Sequence, residues 1–306
     1  ATNNLGAAPA TTFKVVFRFK MEAASQLIVR DMTQELFGLA QFRYQVGASQ
    51  LVNMTTFRPG DQSNVLDFVA KAGRVVTLKV FAAKIGTTER AFWLMLPESG
   101  IPRSLMVIIS HGFGQNHAYY SKKGYSNPLS KDLLIDVRDR FIFQRWGMQV
   151  AAMRADMGLL FPVRAHAGGS ELGPFISQAS VGTAIISTIA SRANADFLLN
   201  AVDVCTFSSG IYDANTFIHT GGKGLKFRLM VNQDPSNGAP IASVGIRKQY
   251  LSGWTTGGPR VGFEFLPKPR WVNDPKFAQM NSSLGREYLH TWALPTYTLA
   301  MALAQL

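Results

Sequence analysis

Cysteine is nearly absent. The 306-residue chain has one, Cys205, which excludes an internal disulfide framework and a cysteine-based metal cluster. It stands in an apolar run, so it reads as a small core residue and not as a nucleophile. Long hydrophobic runs are missing too, and none reaches the length of a membrane span. The first ten residues, ATNNLGAAPA, have neither the charged nor the apolar region of a signal peptide. They fit the processed end of a secreted or periplasmic protein, although an artificially trimmed chain would look the same. Acidic residues are few, 19 against 31 lysines and arginines, for a formal charge of +12. That imbalance raises nucleic acid as a partner. The basic residues are scattered, however, with no run and no nucleic-acid motif, so no specific nucleic-acid target is expected. A weak attraction to anionic polymers stays open. The Gly112–Gly114 pair lacks the spacing of a phosphate-binding loop, and no dinucleotide fingerprint occurs. Neither a cofactor nor a metal is expected.

What is present is apolar. Hydrophobic residues make up 47% and charged residues 16%, enough for a sizeable core in one large α/β domain or two smaller ones. Residues 1–90 look like a β-rich N-terminal extension, either extra strands on a main sheet or a small accessory region. Residues 13–21, 42–46 and 75–81 read as strands. Between the first two, residues 23–40 read as a helix with Leu27, Met32, Leu36 and Leu39 near one side.

The organising stretch lies later, at Thr206-Phe207-Ser208-Ser209-Gly210. An apolar strand pattern precedes it, and a helical pattern over 211–218 follows, ending at Gly221-Gly222. A serine on a sharp strand-to-helix turn projects its hydroxyl above the sheet, and small residues two positions either side let strand and helix approach. Gly210 meets that need, whereas Thr206 stands where glycine is usual. Taken alone, the stretch is equally an ordinary loop.

Further elements surround it. Residues 90–97 read as a strand ending at Pro97. Residues 105–110 are continuously apolar, as suits a central parallel strand covered on both faces. They lead into His111-Gly112-Phe113-Gly114-Gln115-Asn116, a glycine-rich turn whose backbone N–H groups could face a cleft. Residues 130–144 read as a helix and 148–153 as a strand, which would put Asp156 at a strand's carboxyl end. Residues 158–173 read as loop, with Arg164 and His166 near the expected cleft. Residues 181–195 read as a helix, 225–231 as a strand, 241–251 as a helix and 260–266 as the last strand. A terminal helix would start at Pro295.

A strand of the form Arg-x-Phe-x-Leu-x-x-Pro, followed by an apolar strand ending in His-Gly-Phe-Gly-Gln-Asn, resembles the opening of the α/β-hydrolase fold. It is most similar to the serine esterase and polyhydroxyalkanoate-depolymerase-like branch. The resemblance implies a mostly parallel sheet with helices on both faces, over residues 91–306. It implies a Ser208–His290–Asp234 triad, in the chain order serine, acid, histidine. Asp274 competes with Asp234, and His166 and His219 rank below His290. The resemblance also implies an oxyanion hole from the backbone of Phe113 and Ser209, with His111, Gly112 and Gln115 lining the substrate. The activity expected is hydrolysis of a small or polymeric carboxylic ester. An amide hydrolase, or a binding protein that has lost catalysis, remains the alternative.

Overall fold

The computed structural model describes residues 26–46, 74–110, 125, 127–143, 145–165, 171–233, 246, 248–252, 264–265, 299–300, 302–303 and 306. Among the described residues ten strands form one sheet: β1 (Leu27–Asp31), β2 (Phe42–Gln45), β3 (Val75–Ile85), β4 (Thr88–Pro97), β5 (Ser104–Ile109), β6 (Met157–Pro162), β7 (Ala201–Phe207), β8 (Phe227–Gln233), β9 (Lys248–Ser252) and β10 (Glu264–Phe265). Their spatial order is β1-β3-β4-β6-β5-β7-β8-β9-β10, with β2 also paired to β3. The pairings among β1 to β4 are antiparallel, and β4 meets β6 antiparallel. From β6 through β5, β7, β8 and β9 to β10 every pairing is parallel. An antiparallel meander, β6 seated between β4 and β5, and a parallel run beyond them make this the α/β-hydrolase fold.

The helices are α1 (Thr33–Phe37), α2 (Lys131–Val137), α3 (Trp146–Met153), α4 (Pro174–Ser177), α5 (Val181–Ala193) and α6 (Gly210–Thr216). Alternate residues of the central strands serve opposite layers. Met106, Ile108, Cys205, Phe207 and Val231 pack with α2, α3 and the helical residues Leu299, Ala302 and Leu303. Leu105, Val107, Ile109, Val204 and Met230 pack with α4, α5 and α6. Strand β5 is therefore buried on both faces, as its unbroken apolar run requires. The helices α2 and α6 each widen into a π-helical turn, at Arg138–Phe143 and Phe217–Gly221.

Several expectations are corrected. Residues 27–31 are strand, not helix, because they ladder onto β3 from Leu27↔Ile85 to Asp31↔Phe81. The Asp31 carboxylate then accepts the Thr33 N–H at 2.9 Å and starts the short α1. Residues 148–153 belong to helix α3, not to a strand. Trp146 to Ala152 are all buried, so the segment carries no periodicity to tell the two apart. The strand comes afterwards, as β6, inside the expected loop. Gly158 is its disguise. A Cβ there would lie 2.7 Å from a Leu96 methyl and 3.0 Å from the Met95 carbonyl oxygen, so glycine marks close contact with β4. Asp156 consequently sits at the amino end of β6, away from the sheet edge where sites form. Lastly, residues 248–252 are strand, held in parallel register on β8, where a helix over 241–251 was expected.

Candidate active site

The site is built on the carboxyl ends of β5, β7 and β8, which are level. Ile109 pairs with Thr206, Thr206 with Asn232, and Phe207 with Gln233. Beyond Phe207 the chain turns sharply. Ser208 has φ 53°, one of two non-glycine residues with positive φ among those described, the other being Ser180. Left-handed backbone is costly for a residue with a Cβ, and such outliers persist where the surroundings impose them. Here the Ser208 N–H is taken by the Gln233 carbonyl at 3.0 Å, which fixes the turn to β8. Ser209 returns to helical geometry, with φ −66° and ψ −10°, and caps α6. Ser208 is 9% exposed, so the residue is nearly buried at the turn.

The two small positions behave differently. Gly210 is obligatory, because a Cβ would fall 2.1 Å from the Ile109 carbonyl oxygen and 3.0 Å from the Ser110 Cα. Helix α6 thus starts in direct backbone contact with the end of β5. Thr206 is tolerated for a different reason. It is fully buried, and its hydroxyl donates to the Asn232 Oδ1 at 2.6 Å. The threonine is held sideways by the next strand and the turn still forms. The Asn232 amide nitrogen is left without a partner among the described residues.

A partly buried ion pair flanks the turn. Arg164, 3% exposed and two residues past β6, donates to the Ser110 carbonyl at 3.0 Å and to the Asp213 carboxylate on α6. Burial pushes the Asp213 carboxyl above its ordinary value, and the Arg164 guanidinium draws it back. The sequence placed Arg164 near the cleft but gave it no partner. The signal available was an acid five residues beyond Ser208, on the first turns of its helix. Cys205 lies within β7, fully buried, and burial alone raises its thiol pKa. It is core, without the thiolate character a nucleophile needs.

Of the residues expected at the site, Ser208 and Ser209 are described and stand together at the turn. His111, Gly112, Phe113, Gln115, Asp234, His290, and the competitors His166 and Asp274, lie outside the described residues. Two of them adjoin fixed points in the chain: His111 follows Ser110, and Asp234 follows Gln233. His219 is described, exposed, in the π-helical turn beyond α6. At roughly 1.5 Å per residue it is on the order of 15 Å from Ser208 along the helix. Among the described residues, no group of three or more His, Cys, Asp or Glu side chains could hold a metal. No helix there is long and apolar enough to cross a membrane.

No family model matches the chain, and no curated protein matches it. Solved structures do. The rice cell wall degrading esterase LipA from Xanthomonas oryzae is 10% identical, with a TM-score of 0.38 over 69% of this chain and 50% of its own. A cold-adapted esterase from an Arctic intertidal metagenomic library is 9% identical, with a TM-score of 0.28 over 51% and 60%. The acylaminoacyl peptidase of Pyrococcus horikoshii is 12% identical, with a TM-score of 0.28 over 53% and 29%. This chain spans about half the length of the LipA esterase. Likeness of this degree bears neither on activity nor on substrate; the fold assignment rests on the strand order.

Proposed function

We propose that the chain is a serine hydrolase acting on carboxylic esters, with Ser208 as nucleophile. The observation that carries this reading is the positive φ of Ser208 on a turn between a central parallel strand and a helix. Glycine would adopt that backbone at less cost, so we read the serine there as kept for its hydroxyl. His290 takes the Ser208 proton as the hydroxyl oxygen attacks the ester carbonyl, and Asp234 holds the imidazole tautomer and stabilises the imidazolium. The backbone N–H groups of Phe113 and Ser209 meet the tetrahedral oxyanion, each worth roughly 3 kcal/mol. His290 then returns its proton to the leaving alcohol, leaving an acyl-enzyme that water cleaves by the same route. His111, Gly112 and Gln115 line the substrate. The sequence pattern supports Asp234 and His290, by their order after Ser208. No metal enters this reaction.

Two measurements test the proposal. Turnover of a nitrophenyl-ester chain-length series should fall at least about 10³-fold in Ser208→Ala, and a fluorophosphonate should label the native protein once, at Ser208. Equal turnover by both proteins would remove the assignment. Labelling combined with hydrolysis of an anilide but not of esters would shift it to an amide hydrolase. A folded protein that is neither labelled nor active would be a binding protein on the same scaffold.

A further inference from the structure

We infer that Arg164 is a positioning residue for this reaction: it locks the end of β5 to the nucleophile's helix and so holds Ser208 and the Ser209 N–H in place against that strand end. The inference rests on the esterase reading.

Three separate observations converge on it. The first is the bridge itself, in which one buried guanidinium nitrogen donates both to the Ser110 carbonyl and to the Asp213 carboxylate. Ser110 is the last described residue before the glycine-rich stretch, and Asp213 is on the helix that Ser209 caps. The second is the absence of slack at the same place. Gly210 lies against Ile109 and Ser110 with no room for a methyl group, so helix and strand end already touch and Arg164 holds that contact from the side. The third is that Arg164 is itself braced. Before it, the Val163 N–H bonds to the Ala91 carbonyl at 2.9 Å. After it, the Ala165 N–H bonds to the Glu171 carboxylate at 2.9 Å, and Arg90 donates to the Glu171 carbonyl. The guanidinium therefore extends from a backbone tied to β4 and to the loop before α4.

Structural need alone explains this poorly. Taking charge out of water into the interior is costly, and a buried pair is generally no more stabilising than an apolar pair of the same volume. What a charged bridge provides is direction. A planar guanidinium fixes its partners at defined angles, whereas leucine and methionine in the same space would let them slide. Oxyanion donors need that definition, because a displacement of about 1 Å far from the chemistry can cost on the order of 10²-fold in rate.

Full-length Arg164→Ala, Arg164→Lys and Asp213→Asn proteins, assayed on nitrophenyl butyrate with melting curves recorded in parallel, test the inference. Arg164→Ala should lose on the order of 10²-fold in kcat with KM within about twofold, since binding survives and transition-state alignment does not. Millimolar methylguanidinium should restore at least about tenfold of that kcat in Arg164→Ala and do nothing for the native protein. Arg164→Lys should fall between the two. If Arg164→Ala does not fold, Asp213→Asn, close to isosteric, carries the same kcat-against-KM comparison. Folded variants with native kcat overturn the inference. So does a kcat loss that only follows the unfolded fraction and is not rescued, and either result leaves the esterase reading standing. Turnover that survives Ser208→Ala overturns both.

Discussion

Ser208 combines an unfavourable backbone with a buried side chain, the proposed nucleophile, and the two can be separated by mutation. Alanine keeps the Cβ and therefore the left-handed cost, while glycine removes it. Ser208→Gly is expected to be more stable than Ser208→Ala by about 1 kcal/mol, with both inactive. Urea unfolding of the two variants measures the difference. Equal stability would mean that the turn is not strained and that the main support for the nucleophile is gone. Thr206 teaches a related point. In the sequence it counts against the turn, because glycine is usual there. In the structure its hydroxyl binds Asn232, a residue 26 positions later on the neighbouring strand, and no local pattern could have shown that.

At the scale of elements, the decisive contact is helix α6 against the end of β5. Gly210→Ala puts a methyl group into the Ile109 carbonyl, so helix and strand must separate. The expected cost is about 1–3 kcal/mol by urea unfolding, accompanied by a loss of ester turnover. A variant as stable as the native protein would show that the approach is looser than described. The same elements show where the sequence was readable. β5, β7 and α6 were legible because their signals are local: an unbroken apolar run, then small residues, then a helical period. α3 and β6 were not. Both are buried on all sides, so neither alternates, and Gly158 resembles a loop residue until the approach of β4 explains it. The bridge from Arg164 to Asp213 was out of reach for another reason. It joins residues that come together only once β6 is seated beside β5, an arrangement that chain order does not reveal.

Viewed whole, the sheet divides its work between two edges. The carboxyl edge of the parallel strands carries the turn at Ser208. The amino edge, away from Ser208, carries ion pairs: Arg228 with the fully buried Asp203, and Arg154 with Asp156. Burial raises the Asp203 carboxyl above its ordinary value, against the pull of Arg228. A carboxyl raised on folding binds its proton more tightly in the native state. Its contribution to stability is therefore largest below the unfolded pKa and is lost as pH rises through the folded value. Between about pH 4 and pH 7 the melting temperature of the native protein should fall relative to that of Asp203→Asn. Thermal melts across that range check the sign, and a native protein that gains on the variant as pH rises would show that Arg228 outweighs burial.

Seating β6 between β4 and β5 also has a consequence during synthesis. Both strands that flank β5, β6 and β7, are translated after it, so an apolar strand leaves the ribosome with two open edges and no local hairpin to close them. Until roughly a third more of the chain has followed, its company is whatever else is in the cell. Slow translation at low temperature, or a chaperone that covers extended apolar chain, should raise the soluble yield of this protein more than any change made at its surface.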